Sequence, residues 1–428
     1  MPKRIATKEI KRLARVGGFV RGDSRWKLSN AGGWSVAHQA AEEGLLPEGF
    51  GGWDIADDNG WSVAHVAVCR APLPKDFSAW DMADCSGRTV AHAAAAAGHL
   101  PDGFALWDLA DEEGITVAHF AAHHGTLPEG FSRWEIHDGW SFMTVAHTAA
   151  EEGHLPQDFN SWDLCGLYGE TVAHTAARFG HLPDGFGDWM LTDNYGLTVA
   201  HVAARKGLLP PGFDMWELAD EWGITVAHVA ARKGLLPPGF DMWELADHKG
   251  TTVAHSAALK RHLPAGFDGW SMEDFKGVTV WHAAARGGCL PPDFNDWELR
   301  DRRGRTVYHF AARGGHLPEG FDRWELKDSG GRTVYHFAAR GGHLPDGFDR
   351  WELMDGKGAT VAHHALLSKR GLPADFDRWT LVDGNGNSVL DEALDMGMLP
   401  KGLNRNEMLK AVAIRKVRRM ERDGYDFK

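Results

Sequence analysis

A repeat of 27 residues constrains the fold of this chain more than any other feature. The tetrapeptide TVAH, or a close variant, ends at thirteen histidines from His38 to His363, with a single step of 28 residues. A ladder of tryptophans runs in step with it from Trp26 to Trp379. Self-similarity at this period predicts one array of stacked units, not the two or three globular domains that 428 residues would otherwise suggest.

Each position of the unit has a physical interpretation. Residues 220–246 follow the pattern D-x-x-G-x-T-V-A-H-x-A-A-x-x-G-x-L-P-x-G-F-x-x-W-x-L-x. Asp and Gly predict a tight turn, Thr predicts an N-cap, and the Ala-rich run predicts a helix that Gly ends. Leu-Pro predicts the start of a short second helix or 3₁₀ turn, since Pro suits a first helical turn. Its Phe and Trp predict the apolar seam between units, because so short a unit cannot bury a core alone.

The run TVAHxAAxxGHLP resembles the ankyrin repeat family, whose pattern is T-P-L-H-x-A-A-x-x-G-H after a D-x-x-G turn. The likeness covers about half of each unit. The period is shorter than the roughly 33 residues of that family, and Pro-x-Gly-Phe-x-x-Trp replaces its longer second helix. The resemblance implies an all-α solenoid of about 14 ankyrin-like repeats, with short second helices and projecting turns. It also implies that the customary role is recognition of partner proteins.

The two ends of the chain differ from the repeats in charge. Nine Lys/Arg against two acids precede residue 31, and nine against four follow residue 400. A helix is expected near Lys8 to Arg15, and Asn404 and Glu407 have the spacing of a capping box. We predict three segments: an N-terminal basic capping half-repeat at 1–30, the solenoid at 31–403 and a C-terminal basic capping helix at 404–428.

Composition restricts the compartment and the partners. The charged N-terminus lacks the apolar run of a secretory signal, and no stretch is long and apolar enough to cross a bilayer, so we expect a cytoplasmic protein without a membrane partner. Four separated cysteines without a CxxC pair suggest reduced thiols. The net charge is −13, and residues 31–400 alone carry about −25. That field should repel free nucleic acid and favour basic proteins or nucleic-acid-binding proteins.

The histidine ladder invites a metal hypothesis, which its spacing opposes. One His per unit places successive rings about 8–10 Å apart, whereas zinc needs ligands near 2 Å. We therefore expect each His to join a turn to the next unit by hydrogen bonds, as in ankyrin repeats. The chain shows no singular Ser/Cys–His–acid cluster, P-loop or dinucleotide-binding motif, and we predict no catalytic residues, no metal and no cofactor.

Aromatic residues at the turn tips are the sharper candidates for partner binding. Trp140, Tyr168, Tyr195 and Trp222, the aromatic tips, stand in four successive turns. Exposed aromatics are typical of interface hot spots, although these rings could instead fold back onto the next unit. The Phe and Trp ladders could suggest base stacking, but an aromatic at every repeat favours a core role.

A second candidate lies four residues after the ladder histidines. In the early units this position holds Glu42 and Glu151, and in later units it holds an arginine. The arginine stripe comprises Arg178, Arg205, Arg232, Arg286, Arg313 and Arg340. A carboxylate row, with members such as Asp54 and Glu325, follows most ladder tryptophans. These charges predict either ion pairing between repeats or a stripe that recognises an acidic partner surface.

Together these features predict a non-enzymatic scaffold or inhibitor that holds one or more proteins along an extended repeat surface, as a monomer or homodimer. The alternative is an acidic nucleic-acid mimic that blocks a nucleic-acid-binding enzyme, as a phage or bacterial anti-defence protein would. Salt separates the two hypotheses, because binding by charge mimicry should weaken steeply with salt and aromatic hot-spot binding should not.

Overall fold

The computed structural model describes residues 4–398 apart from 21, 369, 374 and 375. Those residues contain fifteen α-helices and no strand, which confirms the all-α class for them. The chain divides into two compact units, Met1–Gly212 and Phe213–Lys428, and within each unit successive helices pack on one another as a repeat array. The helix predicted after Asn404 lies outside the described residues.

The described residues of the first unit contain eight α-helices: α1 (Thr7–Val16), α2 (Val36–Glu43), α3 (Val63–Val68), α4 (Val90–Ala97), α5 (Val117–His124), α6 (Val145–Glu152), α7 (Val172–Phe179) and α8 (Val199–Lys206). Those of the second unit contain seven: α9 (Val226–Lys233), α10 (Val253–Lys260), α11 (Val280–Gly287), α12 (Val307–Gly314), α13 (Val334–Gly341), α14 (Val361–Leu366) and α15 (Val389–Asp395).

The predicted N-cap is confirmed and is stronger than Thr alone would make it. At α9, the Thr225 side chain accepts from the His228 backbone N–H, and the His228 ring nitrogen Nδ1 accepts from the Thr225 backbone N–H at 3.1 Å. The two residues thus form a capping box in which His takes the place of the usual Glu or Gln. The same box recurs at most of the helices, so the cap is a property of the repeat.

Most ladder histidines also join their repeat to the next; His336 is an exception, because its buried Nε2 has no hydrogen-bond partner among the described residues. In α9, Nε2 of His228 lies 2.8 Å from the carbonyl oxygen of Thr251. Because a carbonyl can only accept, Nε2 carries the proton and Nδ1 is the acceptor at the cap. Burial lowers the pKa of His228, which keeps the ring neutral. The predicted turn-to-turn role of the histidines is confirmed within each unit.

The Pro-x-Gly-Phe-x-x-Trp half of the repeat contains no helix among the described residues, so the prediction of short second helices is wrong. The alternative of a turn agrees with the structure, since the Phe77 N–H donates to the carbonyl of Pro74, three residues earlier. Carbonyls of the half-repeat bond to the following helix: Trp216 accepts from the backbone N–H of Ala227, and Leu218 accepts from that of Val226. These donors are the orphan N–H groups of a helix N-terminus. The half-repeat is a pair of turns because its backbone caps the next helix.

The predicted aromatic seam is confirmed in each unit. Phe77 meets Trp80 of its own repeat edge-to-face at 5.0 Å between ring centroids, and Trp80 meets Phe104 of the next repeat at 6.0 Å. This edge-to-face contact is the preferred geometry for aromatic pairs. Along the second unit, Trp281, Tyr308 and Tyr335 insert between the ladder rings; Trp281, for example, stacks on Trp270 at 4.3 Å. These rings are packing elements and not stacking platforms for nucleic-acid bases.

The first and last helices of the described residues, α1 and α15, pack or are capped as the repeats are, although Asp replaces the ladder His at α15. Helix α1 agrees with the predicted N-terminal helix and buries Ile10 and Ala14 in a cluster that includes residues of α2. At α15, Asp391 replaces the ladder His, and its carboxylate accepts from the Ser388 hydroxyl at 2.6 Å and from its backbone N–H at 2.9 Å. The capping box therefore survives the loss of His.

Candidate protein-interaction surface

Asx turns, which the sequence predicts, hold three of the four aromatic tips, Trp140, Tyr195 and Trp222. The Asp220 carboxylate accepts from the backbone N–H groups of Trp222 and Ile224 at 2.9 and 2.8 Å. The carbonyl of Trp222 in turn accepts from the His248 N–H of the next turn at 3.0 Å. A comparable backbone bond joins other successive tips within each unit, so the rings stand on an ordered backbone.

All four aromatic tips present their side chains to solvent. The exposed fractions are 74% for Trp140, 62% for Tyr168, 45% for Tyr195 and 53% for Trp222. In the first unit, the rings of Tyr168 and Tyr195 lie 6.5 Å apart at an interplanar angle of 34°. Burial against the next repeat, the alternative left open by the sequence, therefore does not describe these positions.

Two aromatic residues in this region hold a backbone conformation that favours glycine. Tyr168 has φ +61° and Phe142 has φ +54°, and Arg261 is the third non-glycine residue with positive φ among the described residues. At Tyr168 the cause is local, since Gly166 replaces the Asp that orders the other turns. Bulky residues in the left-handed region cost about 1–2 kcal/mol, and such strain is concentrated at functional sites.

Sequence reasoning missed two other exposed rings in turns, one in each unit. Phe142 lies in the loop that is one residue longer than the others, and Phe275 follows the turn residue Asp274. Both rings are mostly solvent-exposed. The longer loop was a signal for Phe142, whereas Phe275 occupies a turn position that is polar or glycine in many of the other repeats.

Two tryptophans in N-terminal turns, Trp34 and Trp61, which directly precede the Ser caps of α2 and α3, differ from the aromatic tips. Trp61 stacks on its own ladder residue His65 with ring centroids 4.6 Å apart, and Trp34 packs on His38 at 4.9 Å. Both tryptophans are half-buried. For this pair, folding back onto the array is the correct interpretation.

The structure separates the arginine stripe into residues with different surroundings. Arg178 forms an ion pair with Glu170 at 2.7 Å, and Arg205 and Arg232 are exposed. In the second unit, Arg286, Arg313 and Arg340 form no ion pair or side-chain hydrogen bond with any described residue. The carboxylate row does not neutralise them, and its members Asp108, Glu298, Glu325 and Glu352 pair with other arginines.

Those other arginines lie immediately before the ladder tryptophans. In the first unit Arg133 contacts Asp108 of the preceding repeat at 2.7 Å. In the second, the corresponding pairs are Arg323 with Glu298, Arg350 with Glu325, and Arg378 with Glu352. The ion pairing between repeats that the sequence suggested therefore exists, but it uses arginines outside the stripe. Exposed pairs of this kind contribute about 0–1 kcal/mol each.

The described residues contain no group of three or more His, Cys, Asp or Glu side chains that could hold a metal ion. An open groove of about 940 Å³ in the first unit is lined by residues such as Leu46, Pro72 and Phe77, and its lining includes no His or Cys. Within the same part of the chain, no helix is long and apolar enough to cross a membrane.

No protein-family model and no curated protein matches this chain.

Proposed function

We propose that the chain is a non-enzymatic, cytoplasmic protein-binding scaffold or inhibitor built from shortened ankyrin-like repeats. The observation that most supports this function is the exposure of large aromatic rings at the aromatic tips, of which Tyr168 has a strained backbone conformation. Aromatic side chains supply much of the binding energy at protein interfaces, where a few anchors dominate. Exposing them costs solubility, so a partner surface that covers them is the simplest reason for their presence.

The ankyrin-like assignment is supported by the D-x-x-G turn, the T-x-x-H capping box and the histidine bond to the next repeat. One feature differs from the family pattern: each described repeat has one helix, whereas an ankyrin repeat has two. The shortened half-repeat replaces that helix by two turns and by the Phe–Trp seam, which gives neighbouring repeats an aromatic contact instead of a helical one.

The test is an affinity capture from host lysate with the wild type and a Tyr168→Ala, Tyr195→Ala, Trp222→Ala triple variant. A matched control replaces exposed apolar residues away from the tips, Leu106→Ala, Leu208→Ala and Leu235→Ala. We expect a stoichiometric protein with the wild type and the control, loss of it with the tip variant, and retention by the wild type at about 0.5 M salt. A partner that the tip variant retains as well as the control does would contradict the proposal.

A second candidate, the acidic nucleic-acid mimic, is favoured by the charge of one region. Residues 51–200 carry 22 Asp/Glu against five Lys/Arg. Such a field could occupy the nucleic-acid channel of an enzyme. In the same capture, this function requires a nucleic-acid-binding partner that is shed at high salt and that the tip variant retains.

A further inference from the structure

Three arginines of the stripe lie on adjacent helices of the second unit at one position. Arg286, Arg313 and Arg340 are the penultimate residues of α11, α12 and α13, and α12 packs against both of its neighbours. The next residue is glycine in each helix, and a Cβ there would lie closer than 3.0 Å to a carbonyl oxygen of the preceding helix. The glycines thus allow the C-terminal turns to approach closely, which brings the three guanidinium groups together.

The cluster is not neutralised within the described part of the chain. Other arginines of this unit have acidic partners: Arg305 pairs with Asp301 at 2.5 Å, and Arg332 with Asp328 at 2.6 Å. Arg313 has none, and its pKa is lowered to about 10, first by burial and then by the charges of Arg286 and Arg340. It remains a cation at neutral pH. The carbonyl ends of the helices favour a cation, whereas the neighbouring guanidinium groups repel one another.

We propose, on the basis of the scaffold function above, that Arg286, Arg313 and Arg340 form a docking strip for an extended acidic peptide segment of the partner protein. Packed helices lie about 8–10 Å apart, and a peptide in the extended polyproline II conformation advances about 3.1 Å per residue with three residues per turn. Carboxylates at every third residue would therefore lie on one face of the peptide and meet successive guanidinium groups. Arginine suits this role because its planar fork binds a carboxylate through two parallel hydrogen bonds.

The flanking groups favour a peptide over a nucleic acid. The guanidinium groups of Arg305 and Arg332 stack over Phe310 and Phe337, at 4.8 and 5.1 Å from the ring centroids, but each is paired with a carboxylate, so they add little net positive charge beside Arg313. The chain as a whole has a net charge of −13, which opposes a long polyanion. A short acidic segment feels mainly the local field of the strip, since charges beyond about 8–10 Å are screened.

The test measures fluorescence anisotropy of a labelled peptide of about 12 residues that repeats Glu-Ser-Gly, titrated with the full chain. The strip variant is Arg286→Gln, Arg313→Gln, Arg340→Gln. The matched control, Arg323→Gln, Arg350→Gln, Arg378→Gln, removes the same charge from the same unit. We expect the strip variant to weaken binding by about tenfold or more and the control by less than about threefold. Circular dichroism of each variant verifies that the fold is retained.

Equal losses in the two variants, or no binding of the peptide to the wild type, would overturn the strip. So would tighter binding of a 12-nucleotide oligothymidylate than of the peptide, which would identify a phosphate surface instead. The two proposals fail separately. If a captured partner requires the aromatic tips but the peptide does not bind, only the docking-strip proposal is refuted. If the peptide binds but no partner is captured, only the scaffold proposal is refuted.

Discussion

The ladder histidine performs three tasks with one ring. Its Nδ1 accepts at the helix cap, its Nε2–H donates to the next repeat, and its buried plane packs in the core. A carboxylate can perform only the first, since it has no proton to donate at neutral pH. Asp391 shows this limit: in the last described repeat it keeps both bonds of the cap. The need for a donor and an acceptor on one short side chain accounts for the recurrence of His.

Replacing one ladder histidine should destabilise the second unit. In His228→Ala, the backbone N–H of Thr225 and the carbonyl of Thr251 lose their side-chain partner. A buried polar group left unsatisfied costs about 1–3 kcal/mol, so we expect a loss of about 3 kcal/mol in the free energy of unfolding. Urea denaturation followed by circular dichroism measures it. The exposed residue His262 supplies the control, and a His228→Ala variant as stable as His262→Ala would refute the role given to the ring.

At the scale of the helix, α11, α12 and α13 form a variant of the repeat in which two changes occur together. A large aromatic, such as Tyr335, replaces the Ala before the ladder His, and a glycine, such as Gly341, occupies the last helical position. The glycine allows a close approach to the preceding helix, since a Cβ at Gly341 would lie closer than 3.0 Å to the carbonyl oxygen of Arg313. The ladder bond also differs in this variant: Nε2 of His309 contacts the carbonyl of Leu326, 17 residues away, and Nε2 of His336 has no hydrogen-bond partner in the described part of the chain.

Because these helices approach closely at their last glycine, we expect that adding a single methyl group there destabilises the fold. In Gly341→Ala the new Cβ would meet the carbonyl of Arg313, a backbone atom that cannot rotate away. Overpacking typically costs about 1–3 kcal/mol, and we expect the midpoint of urea denaturation to fall accordingly. Gly187→Ala is the control, because no atom lies within 4 Å of the Cβ it would add. If both variants denature at the wild-type midpoint, the helices are not in contact at Gly341.

At the scale of the whole molecule, buried neutral histidines couple stability to pH. Burial is the largest cause that lowers the pKa of these ladder residues, and for His309 and His336 the lowered value is about 4. The others with a lowered pKa are His38, His65, His92, His119, His147, His174, His228, His255 and His282. Once unfolded, each ring regains a pKa near 6.5 and binds a proton that the folded state excludes.

This difference sets the sign of the pH dependence. The histidine contribution is fully present above about pH 6.5 and is lost as pH falls toward the folded-state values, because the unfolded state then binds more protons. We expect the melting temperature to fall continuously between about pH 7 and pH 5. Acidic residues whose pKa is lowered in the folded state, such as Asp84 and Asp383, contribute losses only at lower pH. Differential scanning calorimetry between these pH values measures the melting temperature. A melting temperature that stays constant would contradict the proposed contribution of the buried histidines.

The sequence by itself determined the period, the all-α class, the Thr cap, the Gly that ends each helix and the Phe–Trp seam. These features depend on residues within one unit or one period apart, and a thirteenfold recurrence makes such local signals unambiguous. It also located the aromatic tips and the arginine stripe. It left open whether the tips fold onto the next repeat or bind a partner, and whether the stripe pairs with carboxylates or recognises an acidic surface.

Only the tertiary structure decided what those side chains meet. It showed that the Pro-x-Gly-Phe-x-x-Trp segment forms turns, because its carbonyls satisfy the N-terminus of the following helix. It showed that the carboxylate row pairs with Arg323, Arg350 and Arg378, which leaves Arg286, Arg313 and Arg340 unpaired among the described residues. Periodicity places equivalent residues in a row, but exposure and charge pairing depend on the distance between neighbouring repeats. That distance is set by packing, which a single repeat does not encode.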